Sequence, residues 1–202
     1  MHALPPIPSY LVADFNYCRE IVRKHTENFP VGSLLAPRRM RPYLHAVYAF
    51  ARTADDFADL PGRDDSTRLH LLDDWSRRLS QSQEGKPDHP VFRALCHTFD
   101  VTGLTASPFH ELLIAFRMDV TNKRYETLEE LEEYCRYSAN PVGRIILHLA
   151  GEHLETTYDD HVFGPVDDAD ITILIHYTNI TGMHVSVFID SVFCLCRFVE
   201  IP

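Results

Sequence analysis

The amino-acid sequence predicts an all-α protein, and three observations support that fold class. Apolar residues recur every three to four positions through most of the first 150 residues, which is the spacing along one face of a helix. Breaks rich in Pro, Gly or polar residues separate these periodic segments at positions 28–32, 60–62 and 81–90. Residues that commonly cap helices precede several segments. We therefore expect a series of helices joined by short loops.

Four helices are predicted before residue 101. They cover residues 11–27, 41–59, 66–79 and 90–100. The first has apolar residues at positions 11, 12, 15, 18, 21 and 22, and the second is apolar along most of its length. Ser66 is the predicted N-cap of the third helix, and Pro90 suits the first position of the fourth.

Two further helices are predicted over residues 107–120 and 127–149. Ser107 is the predicted N-cap of the first, with Pro108 at its first helical position. Thr127 and Glu130 form a capping box at the start of the second. Because proline has no backbone N–H to donate, we expect the second helix to bend at Pro141.

The composition changes towards the end of the chain. No Lys or Arg occurs between Arg144 and Arg197, and residues 171–201 are rich in Ile, Val, Thr and Phe. Such a composition is typical of strands or irregular structure. We therefore predict a helical domain over residues 1–152 and an atypical tail over residues 153–202.

Composition and charge narrow the class of protein. Of the 202 residues, 45% are hydrophobic and 24% charged, as in a globular domain. The formal charge of −10 does not suggest a nucleic-acid partner, which would favour a basic face. The five cysteines lack zinc-type spacing, and the N-terminus has no signal-peptide pattern. We expect a cytoplasmic protein with reduced thiols.

The most informative residues lie in the second predicted helix. Tyr48, Arg52, Asp55 and Asp59 follow a 4-3-4 spacing and share one stripe of that helix, among apolar neighbours. Two carboxylates one turn apart repel each other, and a divalent cation would remove the repulsion. The stripe predicts a Mg²⁺ site at the two aspartates, with Arg52 able to hold a diphosphate. The alternative is a solvated acidic face near a helix end.

Two later segments carry further candidates. Residues 116–125 place Arg117 and Arg124 around Asp119 at a helix C-terminus, although the helix dipole alone favours cations there. Residues 134–143 include Tyr134, whose ring face could meet a cation, and small residues that allow a close approach. A packed bend between two core helices explains the small residues of this second segment equally well.

Together the three segments resemble the head-to-head prenyl synthases, the squalene/phytoene synthase family. The resemblance covers about residues 11–152. Residues 28–33, 51–59 and 138–143 look most like the bacterial hopanoid-pathway branch, whose members are thought to turn presqualene diphosphate into hydroxysqualene. The resemblance implies an isoprenoid-synthase-type helical bundle.

The resemblance also implies roles for individual residues. Asp55 and Asp59 match the first aspartate-rich motif, which binds Mg²⁺ and diphosphate. Tyr48 and Arg52 match pocket residues that precede it, and Tyr134 matches a tyrosine beside the reacting carbons. The implied substrate-binding positions are Arg52, Arg117, Asp119, Arg124, Tyr134, Ser138 and Val142.

The implied substrate is a prenyl diphosphate or presqualene diphosphate, ionised with Mg²⁺ and converted to hydroxysqualene or squalene. No NADPH site is identified. One alternative is the condensation of two prenyl diphosphates to squalene, presqualene diphosphate or phytoene. Because such substrates are lipidic, we expect transient contact with the inner membrane face.

The tail departs from the family pattern. The family has a second aspartate-rich motif, N-x-x-x-D-x-x-x-D, whereas here no aspartate follows Asn179 until Asp190. A chain truncated or altered after about residue 152 would have such a tail, and the nucleotide sequence would test this hypothesis. The alternative of another class is an inactive family member that only binds diphosphate or a partner.

Overall fold

The structure is a computed structural model that describes residues 4–25, 36–121, 125, 127–150, 174–178 and 184–188. Helices dominate the described residues before 151. They are α1 (Val12–Lys24), α2 (Arg41–Ala58), α3 (Asp65–Gln83), α4 (Pro90–Thr102), α5 (Ser107–Thr121), α6 (Leu128–Ser138) and α7 (Asn140–Ala150). A short 3₁₀ turn, Ser9–Leu11, precedes α1. The all-α prediction is confirmed for this part of the chain.

Polar side chains cap the starts of α3 and α6. The Thr127 hydroxyl accepts the N–H of Glu130 at 3.2 Å, which confirms the predicted cap of α6. The prediction of Ser66 as the cap of α3 is wrong. Asp64 takes that place, because its backbone is extended and its carboxylate accepts the N–H of Thr67 at 3.0 Å. Ser66 lies inside the first turn.

Two other helix boundaries differ from their predictions. Helix α5 already includes Ser107, since the carbonyl of Ala106 accepts the N–H of His110 at 3.1 Å. The predicted bend at Pro141 is a division into two helices that lies earlier, at Ala139. Pro141 then occupies the first turn of α7, where its missing N–H breaks no hydrogen bond.

Helix α2 lies at the centre of the described helices and packs against α1, α3, α4 and α5. The fully buried ring of Phe50 shows this arrangement. Its centroid lies 5.9 Å from Trp75 of α3, 6.1 Å from Phe92 of α4 and 5.2 Å from Phe109 of α5. The indole N–H of Trp75 also donates to the Phe50 carbonyl at 3.3 Å. These contacts fix the rotation of α2, and with it the direction of its polar stripe.

Part of the tail forms two antiparallel strands. Strand β1 (Leu174–Thr178) pairs with β2 (His184–Phe188), with Leu174 opposite Phe188 and Thr178 opposite His184. The strand-like composition of this region is confirmed for these two segments. The division into domains at residue 152 stays a prediction. Among the described residues, no helix is long and apolar enough to cross a membrane.

Candidate functional site

The polar stripe of α2 brings three of the predicted residues together. Tyr48 and Asp55 are each only 6% exposed, and Arg52 lies between them along the helix. Burial raises the pKa of the Tyr48 hydroxyl, and the charges of Arg52 and Asp55 also act on it. Asp59 is the exposed C-cap residue that follows α2, and its N–H donates to the Asp55 carbonyl at 2.9 Å. The stripe therefore runs from the buried core to the solvent-exposed end of the helix.

Arg52 forms a fork across two carboxylates. Its Nη1 lies 2.9 Å from Oδ2 of Asp55, and its Nη2 lies 2.7 Å from Oδ1 of Asp56. The Nε of Arg52 is buried without a hydrogen-bond acceptor. Asp56 was not among the predicted site residues, although its i, i+4 spacing from Arg52 could have indicated it. The guanidinium thus neutralises part of the acidic stripe while one of its donors stays unused.

Asp55 lies in an unusual electrostatic environment. Its burial raises the pKa of the carboxyl from 3.8 to about 7, against the opposing effect of Arg52. Asp59, Asp56 and Asp119 raise this pKa further. The Oδ1 atom of Asp55 is buried and receives no hydrogen bond. A bound cation would offset both the repulsion between the carboxylates and the missing contact of the buried oxygen. Asp55 and Asp59 are therefore suited to bind a hard divalent ion.

A cation here would need ligands beyond the carboxylates of the described residues. Within the residues that the structure describes, no group of three or more His, Cys, Asp or Glu side chains is arranged to hold a metal ion. Mg²⁺ commonly takes one or two carboxylates and completes its shell with water and phosphate oxygens. The two aspartates are therefore compatible with a metal that arrives with a phosphorylated ligand.

The second predicted segment lies on α5. Helix α5 packs against α2, and the charge of Asp119 raises the pKa of Asp55. Arg117 instead contacts α3, since its Nη2 donates to Oδ1 of Asp73 at 2.8 Å and its Nη1 to the Leu113 carbonyl at 3.2 Å. Its substrate-binding role stays a prediction. Arg124 lies outside the described residues.

The third segment spans the junction of α6 and α7. Tyr134 is 4% exposed, and its ring centroid lies 5.1 Å from that of Tyr125. Val142 is buried in the hydrophobic core, and Ser138 is partly exposed at the end of α6. Helix α7 packs against α5 and α2. Roles for Tyr134, Ser138 and Val142 in substrate binding stay predictions.

Comparison with known proteins identifies the family that the helical region matches. Residues 22–170 match the family model described as squalene/phytoene synthase. The match begins and ends later than the expected range of 11–152. The chain is 42% identical to hydroxysqualene synthase of Zymomonas mobilis subsp. mobilis over 128 residues, which is 62% of this chain and 42% of the relative. It is 44% identical to hydroxysqualene synthase of Rhodopseudomonas palustris over 131 residues, which is 64% of this chain and 44% of the relative.

A solved structure supports the fold. The crystal structure of squalene synthase HpnC from Alicyclobacillus acidocaldarius superposes with a TM-score of 0.69 at 40% identity. The alignment covers 76% of this chain and 57% of that one. The prediction of an isoprenoid-synthase-type helical bundle is confirmed. The aligned part of this chain spans about half the length of these relatives, or 42–57%.

Proposed function

The chain belongs to the squalene/phytoene synthase family, and we propose that it processes prenyl diphosphates. In this proposal presqualene diphosphate is the substrate and hydroxysqualene is the product. The main support for a diphosphate site is the buried Asp55 carboxylate. One of its oxygens has no hydrogen bond, and the other forms an ion pair with Arg52. Similarity to two hydroxysqualene synthases supports the choice of product.

In this proposal the α2 stripe binds the diphosphate. Asp55 and Asp59 would hold Mg²⁺, which neutralises charge on the departing diphosphate when it is bound. Arg52 donates N–H groups to diphosphate oxygens, which stabilises the charge that develops as the leaving group departs. Tyr48 lies on the same face of α2 and shapes the inner end of the stripe.

The reaction is an ionisation followed by capture of the cation. The bond between the cyclopropylcarbinyl carbon and oxygen breaks, and its electron pair leaves with the diphosphate. The carbocation rearranges in an apolar pocket where the ring of Tyr134 faces the reacting carbons. Water then adds to the rearranged cation and loses a proton, which gives hydroxysqualene.

Two alternatives have support of their own. Similarity to a squalene synthase favours condensation of two prenyl diphosphates. An inactive family member that only binds diphosphate or a partner is favoured by the missing second aspartate-rich motif, since no aspartate lies between Asn179 and Asp190.

An assay of diphosphate release tests the proposal. The protein is incubated in Mg²⁺ with presqualene diphosphate or with farnesyl diphosphate, and products are identified by mass spectrometry. We expect hydroxysqualene from presqualene diphosphate, with release at least about 100-fold slower in Asp55→Ala and Asp59→Ala. Asp100→Asn, an exposed change on α4, serves as the matched control.

The outcomes separate the candidates. If the protein consumes farnesyl diphosphate but not presqualene diphosphate, the result would favour condensation of two prenyl diphosphates. No release above blank from a protein that circular dichroism shows to be helical would refute both enzymatic functions. Binding of Mg²⁺ and pyrophosphate without any release would then favour the binding protein.

A further inference from the structure

Asp56 pairs with the terminal nitrogen of Arg52 that Asp55 does not contact. One oxygen of Asp56 lies 2.7 Å from Nη2 of Arg52, and the other lies 3.9 Å from Nε2 of His25 at the end of α1. Asp56 therefore contacts two basic side chains from two helices. The sequence pattern assigned it no role, because it lies between the two aspartates of the stripe.

The two carboxylates that share Arg52 differ in their exposure. The side chain of Asp55 is 9% exposed, whereas that of Asp56 is 46% exposed. Water solvates the charge of the exposed Asp56 carboxylate, whereas the Asp55 carboxylate is largely removed from water. Asp55 is the carboxylate with the unbonded buried oxygen, and it gains most from a cation. Asp55 is thus suited to bind a cation, and Asp56 is suited to remain paired with Arg52.

We propose that Asp56 is a positioning residue that keeps the Arg52 guanidinium at the α2 stripe when Asp55 turns to a cation-bound diphosphate. The inference rests on the proposed function. If Asp55 engages a cation, Nη1 of Arg52 loses its partner while the bond from Nη2 to Asp56 persists. Nη1 can then donate to diphosphate oxygens.

This arrangement gives a reason why Arg52 contacts both a buried carboxylate, Asp55, and an exposed one, Asp56. Without Asp56, release from Asp55 would leave the guanidinium unanchored, because Nε also has no hydrogen-bond partner. With Asp56 in place, the donors remain oriented before the ligand arrives, and less conformational entropy is lost on binding. Asp56 acts through Arg52 and need not touch the substrate.

The first arm of the test needs no ligand. Arginine side chains are labelled with ¹⁵N, and the Arg52 signals are assigned by their loss in Arg52→Lys. We expect slow rotation of the Arg52 guanidinium in the wild-type chain and faster rotation, with broadened Nη–H signals, in Asp56→Asn. The control Asp100→Asn should leave these signals unchanged. Unchanged Arg52 signals in Asp56→Asn would overturn the inference.

The second arm measures affinity for Mg²⁺ and inorganic pyrophosphate by calorimetry. Asp56→Asn should bind about 10-fold more weakly, and Asp56→Glu should recover part of the loss. If Asp56 acts through Arg52, the double variant of Asp56→Asn and Arg52→Lys binds no more weakly than Arg52→Lys alone. Additive losses would contradict the inference and indicate a separate effect of Asp56.

The two arms distinguish failure of the inference from failure of the proposed function. If the wild-type chain does not bind Mg²⁺ and pyrophosphate, the proposed function is wrong. Asp56-dependent rotation of Arg52 in that case would still support the anchoring of Arg52 by Asp56.

Discussion

Asp55 is the residue on which the energetics of the candidate site depend. It lies among fully buried alanines of α2, such as Ala51 and Ala54, so its carboxylate is removed from water. Arg52 is an ion-pair partner from the same helix, and it is shared with Asp56. A buried charge with incomplete pairing lowers stability. Such a cost is typical of functional sites, where a ligand completes the missing contacts.

The stability of the protein should fall with rising pH because of this residue. The pKa of Asp55 in the folded chain, about 7, exceeds its ordinary value of 3.8, so the folded state holds this proton more tightly than the unfolded chain. The penalty is absent below about pH 4 and fully developed above about pH 7. From pH 5 to 8, wild type should lose about 2–3 kcal/mol in the free energy of unfolding relative to Asp55→Asn.

Urea denaturation at several pH values measures this difference. Asp100→Asn should follow the wild-type pH profile, since Asp100 is exposed. Parallel profiles for wild type and Asp55→Asn would show that Asp55 is ionised at no cost in the folded state, contrary to its proposed environment.

The sequence predicted the residues of the stripe but not their partners. A 4-3-4 spacing places Tyr48, Arg52 and Asp55 on one helix face whatever the surrounding fold. The effect of the Asp119 charge on Asp55 depends on how α5 packs against α2, which helix periodicity does not determine. The contact of Arg117 with Asp73 likewise joins two helices that are distant in sequence. These tertiary contacts required the structure.

At the scale of elements, the helices follow from local signals, and their ends follow from competition between neighbouring caps. Asp64, Asp65 and Ser66 could each begin α3, since Asp and Ser side chains both accept hydrogen bonds from backbone N–H groups. The extended backbone at Asp64 decides the choice. The predicted helices were therefore reliable in position, and their first residues were less so.

Substitution at the two candidate caps of α3 tests this assignment. Asp64→Ala should lower the free energy of unfolding, because the N–H of Thr67 loses its acceptor. Ser66→Ala should have a much smaller effect, since its hydroxyl contacts only the exposed Asp64 carboxylate at 3.3 Å. Thermal denaturation of both variants gives the comparison, and a larger loss in Ser66→Ala would contradict the assignment.

At the scale of the whole molecule, helix α2 both organises the core and carries the candidate site. Five of the described helices pack around it, and its buried rings and alanines fix the direction in which Arg52 and Asp55 point. The fold class was predictable because the periodicity of these helices is strong and because three spaced segments matched one family. The pairing of β1 with β2 was not predictable in register, since composition indicates strands without indicating their partners.

The most direct test of the account is whether the α2 stripe binds a cation together with diphosphate. Calorimetric titration of Mg²⁺ and inorganic pyrophosphate compares wild type with Asp55→Asn, Asp59→Asn and the control Asp100→Asn. We predict binding that requires Mg²⁺ in wild type and in the control, and affinity about 10- to 100-fold lower in the two stripe variants. Equal affinity in all four proteins, or pyrophosphate binding by wild type without Mg²⁺, would contradict the account.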